Sequence, residues 1–160
     1  MFNPKVLLID TSVWLEYLLA IEPNYVAVVD LFDVCVNRDT TIAYTPNALK
    51  DVFYLIPRQL RREAIASGDD SDTSYVAAAW ACVRTMTEIA LAVPQSLAEC
   101  DLAWMLRNKH NDLEDNLLIA SAETCHADYV VTYDKQLLER FPAICITPQQ
   151  ALDLFLQTAN

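Results

Sequence analysis

Aspartates at the ends of short apolar runs are the residues of this sequence with the most chemical potential. Asp10 directly follows Val6, Leu7, Leu8 and Ile9, and Asp134 lies two residues beyond the run Tyr129 to Thr132. Asp51 is bracketed by Leu49, Val52, Phe53 and Ile56, which places it at the rim of an apolar helix face. Asp112, Glu114 and Asp115 come together where a helix from Leu113 to His126 is expected to begin. Each acid also has an ordinary role. Aspartate is common at strand-to-helix turns. Asp51 can pair with Lys50 or Arg58. Asp112 suits a helix N-cap, and Asp115 suits the helix dipole in the first turn.

Brought together, these acids would need a counter-charge. Two carboxylates ~5 Å apart repel by about 3 kcal/mol at an effective dielectric near 20. Several such pairs would weigh heavily on a domain whose total stability is ~5–15 kcal/mol. A divalent cation resolves the conflict, as does keeping some acids protonated. An all-oxygen donor set without histidine or thiolate points to Mg²⁺ or Mn²⁺. Such a site suits phosphodiester hydrolysis, in which metal activates water and stabilises the charged phosphate.

The elements that must position these acids follow from patterning. Val6–Ile9, Thr41–Tyr44, Ile89–Val93, Tyr129–Thr132 and Ile144–Ile146 read as short strands of β-favouring residues. Helices are expected after Asp10 with Thr11 or Ser12 as cap, over Tyr25–Val36, and from Pro46 with Thr45 as cap. Pro57 is expected to kink or end that third helix, with Arg58 to Ala66 continuing. Ser67 to Asp72 reads as a loop. Further helices are expected over Thr73–Glu88, Ser96–Asn108, Leu113–His126 and Lys135–Arg140, and from Pro148. Strands alternating with helices predict an α/β fold, three layers with a central parallel sheet. Ligands of such sheets bind beyond the carboxyl ends of the strands, where Asp10 and Asp134 fall.

Composition sets bounds. A chain of 160 residues, 54% hydrophobic with a single glycine, fits one domain over residues 1–160 with a full core. No stretch reaches the ~18 apolar residues of a membrane span, and the run before Asp10 is too short for a signal-peptide core, so a cytoplasmic protein is expected. The five cysteines, odd in number and without a C-x-x-C pair, read as small hydrophobes in a reducing compartment, and a structural zinc site is not expected. The net charge of −11 argues against a general nucleic-acid binder. The bases are nonetheless grouped: Arg58, Arg61 and Arg62 in one run, and Arg107, Lys109 and His110 in another.

The chain resembles the PIN-domain nucleases, including the toxin ribonucleases of bacterial toxin–antitoxin pairs. The likeness rests on V-L-L-I-D-T-S-V-W at residues 6–14, T-P-N-A-L-K-D-V-F-Y at 45–54, N-D-L-E-D-N-L-L-I-A-S-A at 111–122 and A-D-Y-V-V-T-Y-D at 127–134, in that order. The resemblance implies an endoribonuclease dependent on Mg²⁺ or Mn²⁺. It implies metal held by Asp10, Asp115 and Asp134, Asp51 holding metal or orienting the attacking water, Asp112 as an accessory catalytic acid, and Thr11, Ser12 and Thr132 as hydrogen-bonding support. It further implies an RNA substrate, a small antitoxin protein as partner and a homodimer. A metal-poor PIN-fold scaffold that binds protein or RNA is the main alternative. A haloacid dehalogenase-like phosphatase is disfavoured because Thr11-Ser12 follows Asp10 where D-x-D is needed, and a receiver domain because no acidic pair stands beside Val6–Ile9.

Overall fold

The computed structural model describes residues 4–69 and 74–157. Its elements run β1 (Val6–Ile9), α1 (Thr11–Leu18), α2 (Asn24–Asn37), β2 (Thr41–Tyr44), α3 (Pro46–Ala66), α4 (Val76–Ile89), β3 (Leu91–Ala92), α5 (Leu97–Leu106), α6 (Leu113–Thr124), β4 (Tyr129–Val131), α7 (Lys135–Arg140), β5 (Cys145–Ile146) and α8 (Pro148–Gln157). The five strands form one sheet in the order β3-β2-β1-β4-β5, every neighbouring pair parallel. The expected three-layer α/β/α fold is what the chain adopts.

Burial explains why the strands read as continuous apolar runs. In β1, Leu7 and Ile9 pack on one face with Val13, Trp14, Phe32, Val52 and Phe155, while Leu8 packs on the other with Leu118, Ala122, Val130 and Leu137. A parallel sheet covered on both faces has no solvent side to mark with polar residues. Trp14 is fully buried, its ring 5.3 Å from that of Phe32 and edge-on to it.

Local chemistry sets several boundaries. Thr45 is extended and its hydroxyl accepts from the Ala48 amide, with Pro46 in the first turn, as the sequence predicts. Asp10, rather than Thr11 or Ser12, caps α1: its Oδ1 accepts from the Thr11 amide at 2.7 Å. Helix α3 runs through Pro57 without a break, because Ile56 and Val52 anchor that stretch in the core. It ends where Gly68, at φ +83°, donates to the Ile65 carbonyl. The remainder of the expected 67–72 loop, and Thr73 at the head of the following helix, lie outside the described residues. The expected strand Ile89–Val93 shrinks to Leu91–Ala92. Helix α4 continues through Ile89, and the Ala90 amide closes onto the Met86 carbonyl, so tertiary packing overrides β-propensity.

The chain steps from β1 outward through β2 to β3, then returns to the other side of β1 with β4 and β5. The strand order therefore reverses between β1 and β4, and a crevice opens at their carboxyl ends.

Candidate functional site

That crevice is where the acids fall. A cavity of about 240 Å³ is lined by Asp10, Asp51, Glu114, Asp115 and Asp134, together with Thr11, Ser12, Thr45 and Asn47. Four elements supply the acids: Asp10 follows β1, Asp51 lies in α3, Glu114 and Asp115 open α6, and Asp134 opens α7. Asp112 is not among the lining residues. Its Oδ1 accepts from the Glu114 and Asp115 amides at 2.9 and 3.2 Å, so it caps α6 beside the cleft.

Hydroxyls tie the two strand ends together. Asp10 Oδ2 accepts from Ser12 Oγ at 2.6 Å and from Thr132 Oγ1 at 2.8 Å. Each hydroxyl in turn accepts from a backbone amide of the β4–α7 turn: Ser12 Oγ from Tyr133 at 3.1 Å, Thr132 Oγ1 from Asp134 at 2.9 Å. The Asp10 carboxylate is thus held in one orientation by a group 122 residues away in sequence as well as by its near neighbour. Asp134 Oδ1 accepts from the Gln136 and Leu137 amides, which caps α7.

Asp115 has a partner that forward helical spacing does not suggest. His110 Nε2 lies 2.6 Å from Asp115 Oδ2, and the imidazole is buried. An ionised carboxylate only accepts, so Nε2 carries the proton in that contact. The turn bearing His110 is fastened by buried Asn116, whose Nδ2 donates to the His110 carbonyl at 2.8 Å. On the opposite wall Lys50 Nζ lies 3.1 Å from both Asp51 Oδ1 and Glu114 Oε1, bridging α3 to α6. Sequence reading named Lys50 as one partner for Asp51. It missed Glu114 at the cleft and His110 as Asp115's partner, since the first signal spans 64 residues and the second points upstream.

The electrostatics show what remains unresolved. Burial pushes the Asp115 carboxyl above its ordinary value; His110 pulls it down, and Asp112 and Asp134 push it up. Burial likewise raises Asp51, with Lys50 opposing and Glu114 and Asp10 adding to the rise. Helix N-termini offset part of the repulsion at Asp10, Asp112 and Asp134. Among the described residues, Asp51 Oδ2, Asp115 Oδ1 and Asp134 Oδ2 accept no hydrogen bond. These free carboxylate oxygens around one cavity are hard donors, the chemistry that Mg²⁺ or Mn²⁺ requires. They are not drawn into a closed cage: among the described residues no three acidic, histidine or cysteine side chains are grouped closely enough to hold an ion.

The sheet order and the acids beyond β1 and β4 define an α/β protein with an acidic crevice at its topological switch point. A family model described as PIN domain matches residues 6–136, and the chain belongs to that family. Solved structures carry the same fold at low identity. A chain of VapBC2 from Rickettsia felis, bound to a DNA fragment from their promoter, is 12% identical with a TM-score of 0.66, over 89% of this chain and 98% of that one. VapBC-1 from nontypeable Haemophilus influenzae gives 10% identity and a TM-score of 0.61, over 90% and 98%. A toxin-antitoxin complex from Klebsiella pneumoniae gives 13% and 0.58, over 88% and 96%. No curated protein matches the sequence. Among the described residues no helix is long and apolar enough to cross a membrane.

Proposed function

We propose that this protein is a metal-dependent endoribonuclease, the toxin of a toxin–antitoxin pair, acting through the acidic crevice. The observation that carries the reading is the convergence of Asp10, Asp51, Asp115 and Asp134, from four elements, on one cavity of a PIN domain. These four would hold Mg²⁺ or Mn²⁺, which when bound supplies Lewis-acid activation of water and charge stabilisation at the phosphate. The chain's own groups do the positioning. Ser12 and Thr132 fix Asp10, His110 fixes Asp115, and Lys50 sets Asp51 and Glu114. Asp112 serves by capping α6, which places Asp115.

The substrate is RNA, and the protein works as one domain in the cytoplasm. Partner binding is supported by apolar side chains left exposed on α3 and α4, including Tyr54, Ile65, Val76 and Trp80. The toxin-antitoxin description of the Klebsiella structure suggests a small antitoxin as one such partner, and a second copy of the chain is the other. A second reading, a PIN scaffold without catalysis, is favoured by one observation: the acids do not form a closed ion cage, and Lys50 already supplies a cation to Asp51 and Glu114.

An RNA cleavage assay with Mg²⁺, Mn²⁺ or EDTA decides between them. The nuclease cuts with either metal, stops in EDTA, and loses activity by at least ~100-fold in Asp115→Asn, the upper end of what removing a ligand's outer partner costs. A scaffold shows no metal-dependent cleavage, and no Mn²⁺ binding in calorimetry that Asp10→Asn abolishes.

A further inference from the structure

A second cavity, of about 470 Å³, adjoins the cleft between the α5–α6 turn and α7. His110 joins the two: it lines this cavity while its ring contacts Asp115, which lines the other. The lining has the opposite charge, with Arg107, Lys109 and Arg140 among its residues. Asp112 is the one acid in the wall, and its Oδ1 is taken by the N-terminus of α6.

None of these three cations has a carboxylate partner among the described residues, and the same holds for Arg61 and Arg62 on α3. What sets the group apart is that it is gathered around one cavity beside the acidic cleft. Two of its members are also posed on aromatic rings. The Arg107 guanidinium lies 4.1 Å over Trp104, with Nη1 donating to the Trp104 carbonyl at 2.7 Å, and Lys109 Nζ lies 4.4 Å over Phe141. Ring contacts restrict long side chains without neutralising them, which lowers the ordering cost of gripping an anion.

We infer that this cavity is a phosphate-backbone subsite that grips a single-stranded RNA beside the bond presented to the acidic cleft. The choice of RNA rests on the proposed nuclease reading. The cleft's carboxylates repel a polyphosphate strand, and a basic wall joined to the cleft through the His110–Asp115 contact supplies the attraction that lets the strand approach. A chain of phosphodiesters spans both cavities; a free phosphate ion fills only one.

The test is equilibrium binding of a labelled single-stranded oligoribonucleotide in EDTA across a salt series. The wild type is compared with Lys109→Gln/Arg140→Gln, Lys109→Arg/Arg140→Lys, and Arg61→Gln/Arg62→Gln as an equal charge change on α3. All of these positions are exposed. The first variant should bind about tenfold more weakly, with the slope of log K against log salt lower by about 0.7 for each phosphate no longer gripped. The conservative variant and the α3 control should stay within about twofold of wild type. Absent binding by the wild type, an unchanged slope in Lys109→Gln/Arg140→Gln, or an equal loss in the α3 control overturns the subsite. Displacement of the RNA by inorganic phosphate or by a polyglutamate peptide at matched charge concentration also overturns it, in favour of an ion or an acidic protein segment. Because binding is read without divalent metal, the two readings fail separately. RNA gripped as described but uncut with Mn²⁺ sinks only the nuclease; RNA cut with unchanged KM by Lys109→Gln/Arg140→Gln sinks only the subsite.

Discussion

His110 Nε2 sits 2.6 Å from Asp115 Oδ2, so a buried imidazole fixes the carboxylate that α6 presents to the cleft. The contact leaves Asp115 Oδ1 without a hydrogen bond from the described residues. Outer partners of this kind set the angle and basicity of a ligand. His110→Gln should therefore lower cleavage or metal affinity by about 10–100-fold. Initial rates across a Mn²⁺ titration check this. A variant with wild-type rate and metal dependence would show that the imidazole only fills space.

Asp10 caps α1 through the Thr11 amide, accepts from the Ser12 and Thr132 hydroxyls on Oδ2, and presents charge to the cleft. Asparagine caps about as well as aspartate, whereas alanine does not. Asp10→Asn should therefore melt closer to wild type than Asp10→Ala, because it keeps the cap, while cleavage falls by ~100-fold or more, beyond the range for an outer partner. Asp10→Ala should lose the same activity and at least ~1 kcal/mol of stability, since the cap goes and the Ser12 and Thr132 hydroxyls lose their acceptor. Thermal melts beside the cleavage assay separate the two; equal stability of both variants would count against the cap.

What could be read beforehand follows from the range of each signal. The strand Val6–Ile9, the cap Thr45-Pro46 and the cap at Asp112 are visible because their causes lie within a few residues. The strand at Ile89–Val93 was overdrawn, since whether Ile89 ends a helix or starts a strand is decided by Met86 docking in the core. At the site, Asp10 and Asp134 were legible from the chain's alternation of strands and helices. The Lys50–Glu114 bridge was not, because no local pattern connects residues 64 apart. The His110–Asp115 pair was within reach: a histidine five residues before an acid, across a helix start, can fold back on it.

Glu99 gives the fold a handle on acid. It is buried at the start of α5, where it accepts from the Ser96 amide and hydroxyl in a capping box. The neighbouring Thr124 side chain first, then the Ser96 hydroxyl and amide, hold its carboxyl down at about 2. A depressed value means the folded state favours the charged form. The stabilisation is complete above the ordinary glutamate value of about 4.3 and is lost as pH falls toward 2. Glu99→Gln should therefore melt below wild type at pH 7, with the gap closing between about pH 4.5 and pH 2. A gap that stays constant over that window would show that the charge plays no part.

Metal binding should also be visible without any substrate. Asp51 and Asp115 are pushed toward protonation by burial, and neighbouring acids push them further. An ion bound by the folded chain and not by the unfolded one removes that penalty, and it stabilises the fold by mass action. At 100 times its dissociation constant the gain is about 2.7 kcal/mol. For a chain of this length each kcal/mol moves the melting temperature by about 2–4 °C, so Mn²⁺ should raise it by about 5–11 °C. The sign should reverse in the comparison without metal. There Asp115→Asn removes one repelling charge while leaving an amide to meet His110, and it should melt at or above the wild type. With Mn²⁺ present, the wild type should overtake it. Melting curves of both proteins, with Mn²⁺ and with EDTA, carry the test. A wild type whose melting is indifferent to the ion, at concentrations up to the millimolar range where weak oxygen sites fill, would mean that Lys50 and the helix ends already balance these acids.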